Sequence, residues 1–144
     1  MGIVDGMIKT LKMFFFAGII SLVLWNSWSC KDQVTNSDLN KIIFPDSNVS
    51  YHKHVEPLFL NACAIPGGCH AGDAPAGGVS FESWLNARQK IGIIYPGDPV
   101  NSRLIWTIEG KDPGVPKMPL DRPALNSNQI KGLKTWIKEG AQNN

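Results

Sequence analysis

NACAIPGGCH, residues Asn61–His70, ends in a Cys-His pair and carries a second cysteine upstream. Five residues separate Cys63 from Cys69, and Pro66–Gly68 supplies a turn-forming proline and two glycines that can take positive φ. The segment therefore predicts a loop that brings two thiols and one imidazole to the same place.

Two cysteines with a histidine directly after the second are similar to C-x-x-C-H, the attachment signal for a c-type haem. In that chemistry the two thiols add to the haem vinyl groups, and the adjacent imidazole binds the iron. Because five residues stand here where the signal has two, three residues must loop out if both thiols are to reach the ring. The Pro-Gly-Gly composition of the loop permits such double attachment.

A thioether from a proline-rich loop is the usual sixth ligand of such an iron. Of the four methionines, only Met118 lies outside the N-terminal 29 residues. It stands between prolines in the segment Pro116–Leu120, ahead of the last predicted helix. Met118 is therefore the candidate sixth ligand, and core packing is the alternative role of such a residue.

The N-terminus has the layout of a secretory signal over residues 1–29. Lys9 and Lys12 precede an apolar run over residues 13–25, which as a helix would rise only about 20 Å, short of a membrane span. Cys30 follows the run and resembles the lipid-modified cysteine of bacterial lipoproteins. Ordinary signal cleavage at Ser27–Ser29 is the alternative, and both interpretations predict export.

The remaining chain predicts a linker over residues 30–50 and one domain over residues 51–144. The linker is polar apart from the patch Ile42–Phe44, which predicts docking partway along. The full chain has a formal net charge of +2 and only 18% charged residues. This balance argues against a nucleic-acid partner.

Four short helical patterns and no alternating strands predict an all-α fold. Val55, Leu58, Phe59 and Ala62 share one face of the first pattern. Ser80 can cap a second helix over about residues 81–90, and Asp98 can cap a third helix that ends near Gly110. The fourth helix begins with a capping box at Asn126 and Gln129 and ends at Gly140. Its apolar face consists of Ile130, Leu133 and Ile137.

Several landmarks around these helices occur together in one order. They are Val55-x-Pro57-Leu58, the attachment segment, Ala76–Val79, Pro96–Pro99 with Ser102 and Leu104, Met118-Pro119, Leu125, Gln129-Ile130, Leu133, Trp136-Ile137 and Gly140-Ala141. With them, residues 54–141 resemble a class I monohaem cytochrome c domain of bacterial exported lipoproteins.

The resemblance implies an all-α, cytochrome c-like fold of about four short helices around one covalently bound haem c. Cys63 and Cys69 would be the thioether cysteines, His70 the proximal ligand and Met118 the distal ligand of the iron. The implied function is electron transfer between redox partner proteins outside the cytoplasm, on the periplasmic or outer-surface side of a bacterial membrane. Anchoring would be by lipid at Cys30, with no catalysis and no small-molecule substrate.

Other interpretations of the same residues stay open. Cys63 and Cys69 could form a disulfide in a haem-free exported interaction module, or join His70 and Met118 in a soft copper site. A third interpretation is a ligand-binding haem sensor in which Met118 does not bind the iron. The side chains with further open roles are His52 and His54 as replacement ligands, Arg103 and Arg122 as partners of haem propionates, and Trp84, Trp106 and Trp136 as core or haem-packing residues.

Overall fold

The computed structural model describes residues 39–65 and 68–144, and within these ranges it contains helices and no strands. The predictions for the signal peptide and for Cys30 lie outside the described residues. No helix of the described part is long and apolar enough to cross a membrane. The four α-helices are α1 (Glu56–Ala62), α2 (Trp84–Gln89), α3 (Arg103–Glu109) and α4 (Ser127–Lys138), with a π-helical turn (Tyr51–Val55) before α1 and a 3₁₀ turn (Ala76–Gly78) after it.

Within the described residues, the predicted all-α fold with four short helices is therefore confirmed. The predicted apolar face of the first helix, Val55 to Ala62, is buried throughout. Pro57 lies at the start of α1, directly after the π-helical turn. α1 therefore presents one continuous apolar face to the core.

Helix α4 has the predicted termini and the predicted face. Asn126 accepts the Gln129 N–H, and the Gln129 side chain accepts the Asn126 N–H, which completes the capping box. Leu133 and Ile137 are fully buried, and Gly140 takes a φ of 99° just past the helix end.

The predicted start of α2 is wrong. Ser83, not Ser80, is the N-cap, and its hydroxyl accepts the N–H of Asn86. Phe81 stays outside the helix, because its N–H donates to the His70 carbonyl at 3.0 Å and its ring is buried. This tertiary contact moves the helix start towards the C-terminus.

The start of α3 differs in the same way. Asp98 accepts the N–H groups of Val100 and Asn101, which makes it the cap of a turn and not of the helix. The helix begins later, at Arg103, and is capped by Gly110, near which it was predicted to end; Gly110 has a left-handed conformation with φ of 72°.

The second half of the predicted linker packs against α4, and we call residues 39–50 the strap. Phe44 of the strap is 3% exposed, and its N–H and carbonyl both bond to the Asn128 side chain, at 2.8 and 3.0 Å. Its ring lies against Gly132, where the Cβ of any other residue would collide with it. The N–H of Val49 donates to the carboxylate of Glu139. The strap is therefore part of the packed domain.

Aromatic side chains join the helices beside the site described below. Phe59 of α1 contacts both Trp136 of α4, with ring centroids 6.1 Å apart, and Phe81, at 4.6 Å. Phe81 in turn makes an edge contact with the ring of His70 at 5.3 Å. This row of rings connects the α1–α4 contact to the predicted iron ligand.

Candidate cofactor site

One cavity of about 380 Å³ brings together the four residues that the sequence singled out. Cys63, Cys69, His70 and Met118 all line it, although Met118 lies far along the chain from the others. The volume falls within the range of pockets that bind small molecules and cofactors. The lining is mainly apolar; besides these four residues and the charged side chains described below, it includes Ala62, Val79, Phe81, Ile93, Leu104, Ile108, Val115 and Leu120.

His70 is held in one orientation by the backbone of the segment that follows it. Its Nδ1 lies 3.0 Å from the carbonyl oxygen of Val79. Because a carbonyl only accepts hydrogen bonds, Nδ1 carries a proton, and in the neutral imidazole the lone pair is then on Nε2. A histidine whose other nitrogen donates to a carbonyl is the usual arrangement of a metal-binding imidazole.

One main-chain hydrogen bond joins the two ends of the segment between the cysteines, because the His70 N–H donates to the Cys63 carbonyl at 3.1 Å. In the segment that follows, the Cys69 carbonyl accepts the Ala76 N–H at 2.7 Å. Cys69 has a positive φ of 32°, an unusual conformation for a residue with a Cβ. Pro66 and Gly67 lie outside the described residues. The closed ends bring both cysteines to the same cavity despite their spacing.

The two thiols differ in their surroundings, and both are free. Cys69 is exposed, whereas Cys63 is half-buried. The protein atoms around Cys63 desolvate its thiolate, and together with the nearby Cys69 they raise the Cys63 pKa to about 12, against a smaller opposing effect of Arg122. Cys63 is thus a neutral thiol at physiological pH.

Met118 reaches the cavity from the proline-rich loop between α3 and α4. Its N–H donates to the carbonyl of Thr107 at 2.9 Å, which ties the loop to α3. The peptide bond to Pro119 is cis, and the Met118 side chain is half-buried against the core. Met118 and His70 therefore come to one cavity from different segments of the chain.

Charged side chains that the sequence did not assign to the site also line this cavity. They include Lys90 and Asp112, beside Arg103 and Arg122, whose role as propionate partners was left open. Arg103 Nε donates to Asp112 Oδ2 at 2.6 Å. No helical spacing relates these two residues, so periodicity gave no signal for the pair. The Val79 carbonyl was missed as well, because a backbone acceptor leaves no mark in the sequence.

The histidines considered as replacement ligands lie elsewhere. His52 pairs with Glu56 at 2.9 Å, and His54 Nδ1 accepts the N–H of Ser50. Neither lines the cavity. Within the described ranges, the structure also shows no group of three or more His, Cys, Asp or Glu side chains arranged to hold a metal ion.

The three tryptophans predicted to pack in the core or against the haem donate their indole N–H groups to backbone carbonyls. Trp84 bonds to Ala141 and Trp136 to Gln142, so both lie against the end of the chain after α4. Trp106 bonds to Val100 and is 38% exposed, which contradicts the expectation that it packs in the core.

The fold and the cavity together describe a cytochrome c-like domain. Residues 67–119 match a family model described as Planctomycete cytochrome C. The matched range contains Cys69, His70 and Met118 and lies between α1 and α4. No curated protein and no solved structure matches the chain significantly. The family match supports a cytochrome c-type domain, which implies a c-type haem, redox partner proteins and an extracytoplasmic location.

Proposed function

We propose that this chain is an electron-transfer protein that carries one c-type haem and transforms no substrate. In this proposal Cys63 and Cys69 form the thioether bonds, and His70 and Met118 bind the iron. The observation that carries it is the cavity that all four residues line, in an all-α chain with a cytochrome c family match.

The residues of the chain have defined tasks in this function. A bound c-type haem supplies an iron that cycles between the ferrous and ferric states. The Val79 carbonyl holds His70 so that Nε2 is the donor to the iron. The Met118 thioether favours the reduced state and raises the reduction potential. If His70 and Met118 both bind the iron, no position would remain open for oxygen or peroxide, which is why we propose no catalytic activity.

The apolar lining excludes water from the iron. Leu104 and Ile108 of α3 are almost fully buried beside the cavity, and Ala62 of α1 is equally buried. A low-dielectric surrounding disfavours the more highly charged oxidised centre and so also raises the potential. A haem held in this cavity would exchange electrons with a redox partner protein.

We further propose that residues 1–29 direct export and that Cys30 carries the lipid anchor. Residues 30–50 then connect the anchor to the haem domain, and the strap is the part of this connection that packs on α4. Redox partners on the same membrane fit this arrangement. A Cys30→Ser variant is expected to lose the mass of the acyl chains and to move from the membrane fraction to the soluble fraction.

The first test is a visible spectrum and a denatured mass of the protein expressed with a cytochrome maturation system. A c-type spectrum together with retained haem mass is expected. Cys63→Ala then tells whether the second thiol is bonded, because loss of one thioether shifts the reduced absorption band while Cys69 retains the haem mass. A colourless protein lighter by two hydrogens would instead show the disulfide-stapled interaction module, an alternative that the two free thiols of the structure do not favour.

Carbon monoxide tests the assignment of Met118. A reduced iron bound by His70 and Met118 is expected to resist carbon monoxide, and Met118→Ala is expected to bind it readily because the sixth position is open. Binding by the unaltered protein would support the haem sensor instead. His52→Ala is a matched control, since this residue lies outside the cavity and its loss leaves the gas response unchanged.

A further inference from the structure

The charged side chains of the cavity have an excess of positive charge. Lys90, Arg103 and Arg122 are cationic and Asp112 is anionic, which gives +2 for this group of four. Haem is a dicarboxylate whose two propionates carry the opposite charge. The other titratable side chains of the lining, Cys63, Cys69 and His70, belong to attachment and iron binding in the proposed function.

Arg103 differs from the other two cations because a buried carboxylate holds it. Its Nε donates to Asp112 Oδ2 at 2.6 Å, and the Asp112 side chain is only 4% exposed. Lys90 Nζ instead donates to the Gly77 carbonyl, and the charge of Arg122 opposes the rise in the pKa of the Cys63 thiol. A guanidinium offers five N–H donors, so the bond through Nε leaves those on the two Nη atoms for a second carboxylate.

The backbone fixes both members of this pair. Arg103 is the first residue of α3, and its N–H donates to the Gly92 carbonyl at 3.1 Å. The Asp112 carbonyl accepts the Val115 N–H in the turn that follows α3. The Arg103 side chain is 47% exposed, so its guanidinium lies at the edge of the cavity, where a carboxylate can keep contact with water.

We propose that Arg103 binds a propionate of the cofactor and that Asp112 is a positioning residue that holds the guanidinium for this contact. The inference rests on the proposed function, because the dicarboxylate is the haem. A cation within about 4–6 Å lowers a carboxyl pKa by about 1–3 units. Arg103 therefore keeps the propionate ionised, and the midpoint potential stays independent of pH into the acidic range.

The two roles of Asp112 predict opposite signs. If Asp112 were only a negative charge near the propionate, its removal would lower the propionate pKa. If it positions Arg103, its removal releases the guanidinium and raises that pKa, as removal of Arg103 itself does. The direction of the shift in Asp112→Ala therefore separates positioning from simple charge.

The experiment measures the midpoint potential of the haem-loaded full chain as a function of pH. Arg103→Gln is expected to raise the pH at which the potential begins to change by about 1–3 units, and Asp112→Ala to shift it in the same direction. Arg88→Gln is the matched control, because Arg88 lies over the Trp84 ring at 4.6 Å, away from the cavity, and should leave the profile unchanged.

Each outcome has one meaning. An unshifted profile in Arg103→Gln overturns the propionate contact, and a downward shift in Asp112→Ala overturns the positioning role. If either variant fails to fold, Arg103→Lys and Asp112→Asn replace them; both should shift the profile upward by less, and no shift in them overturns the inference. Denatured mass separates the two proposals: a haem-free unaltered chain removes both, whereas a haem-loaded chain with an unmoved profile removes only this one.

Discussion

Alanine in place of Gly132 would separate the strap from α4. The Cβ added there overlaps the ring carbons of Phe44 and the Phe44 Cβ as well, so a change of rotamer alone cannot make room. The strap backbone must move, and the two hydrogen bonds between Phe44 and the Asn128 side chain then lengthen or break. The expected result is a less stable protein whose strap is displaced from α4.

The size of the effect follows from three contributions. Exposing Phe44, now 3% exposed, costs about 1.5–3 kcal/mol. Each of the two lost hydrogen bonds adds about 0.5–1.5 kcal/mol, and the higher helix propensity of alanine returns about 1 kcal/mol. We therefore expect Gly132→Ala to lower the free energy of unfolding by about 1.5–5 kcal/mol.

Urea unfolding of the haem-loaded protein, followed by far-UV circular dichroism, measures this difference. Phe44→Gly provides the decisive background, since it removes both the ring and the Cβ. There Gly132→Ala should stabilise by up to about 1 kcal/mol. An equal loss in both backgrounds would refute the close contact. Lys131→Ala is the control on the same surface, because its ion pair with Asp46 is exposed and its loss should leave the free energy of unfolding nearly unchanged.

Three further predictions concern single side chains. Ser102→Ala leaves two backbone partners of a fully buried hydroxyl unsatisfied, so thermal unfolding should show a loss of about 1–3 kcal/mol, and a loss below about 0.5 kcal/mol would contradict it. Hydrogen bonds from two lysines lower the pKa of Glu109 below its usual value near 4.5. The ionised carboxylate therefore stabilises the fold above that value, and this stabilisation is lost as the pH falls through the lowered pKa. Glu109→Gln should reduce the acid sensitivity of unfolding, and an unchanged pH profile would count against this. In the haem-free chain, iodoacetamide at neutral pH should modify Cys69 before Cys63, whose pKa of about 12 keeps it a thiol, and equal rates by mass spectrometry would disprove that difference.

Helix α4 could be predicted from the sequence because its signals are local. Asn126 and Gln129 cap each other three residues apart, and the glycine that ends the helix follows directly. The starts of α2 and α3 were predicted too early, because Ser80 and Asp98 suit an N-cap but lie ahead of the residues at which the helices begin. For α2 the start depends on Phe81, whose N–H donates to the His70 carbonyl, and no local pattern contains that contact.

The residues of the candidate site could be predicted from the Cys-His motif and from Met118, which is the one methionine outside residues 1–29. Their assembly around a shared cavity depends on contacts between distant segments, such as the hydrogen bond from Met118 to Thr107. Arg103 was a candidate from the sequence only as a lone arginine, whose default location is the surface. Asp112 could not be predicted as a site residue, because it pairs with Arg103 across the end of α3, at a separation that no helical spacing indicates.

The hydrogen bond between His70 and Cys63 makes the residue count between the cysteines unimportant. A loop closed at its ends can change length at a small entropic cost, about 0.6 kcal/mol for each doubling. Insertions at this point then leave the histidine and the first cysteine in register, because the closing bond and not the intervening chain sets their relation. The interval between the two cysteines can therefore vary while the Cys-His pair keeps its place beside the first cysteine.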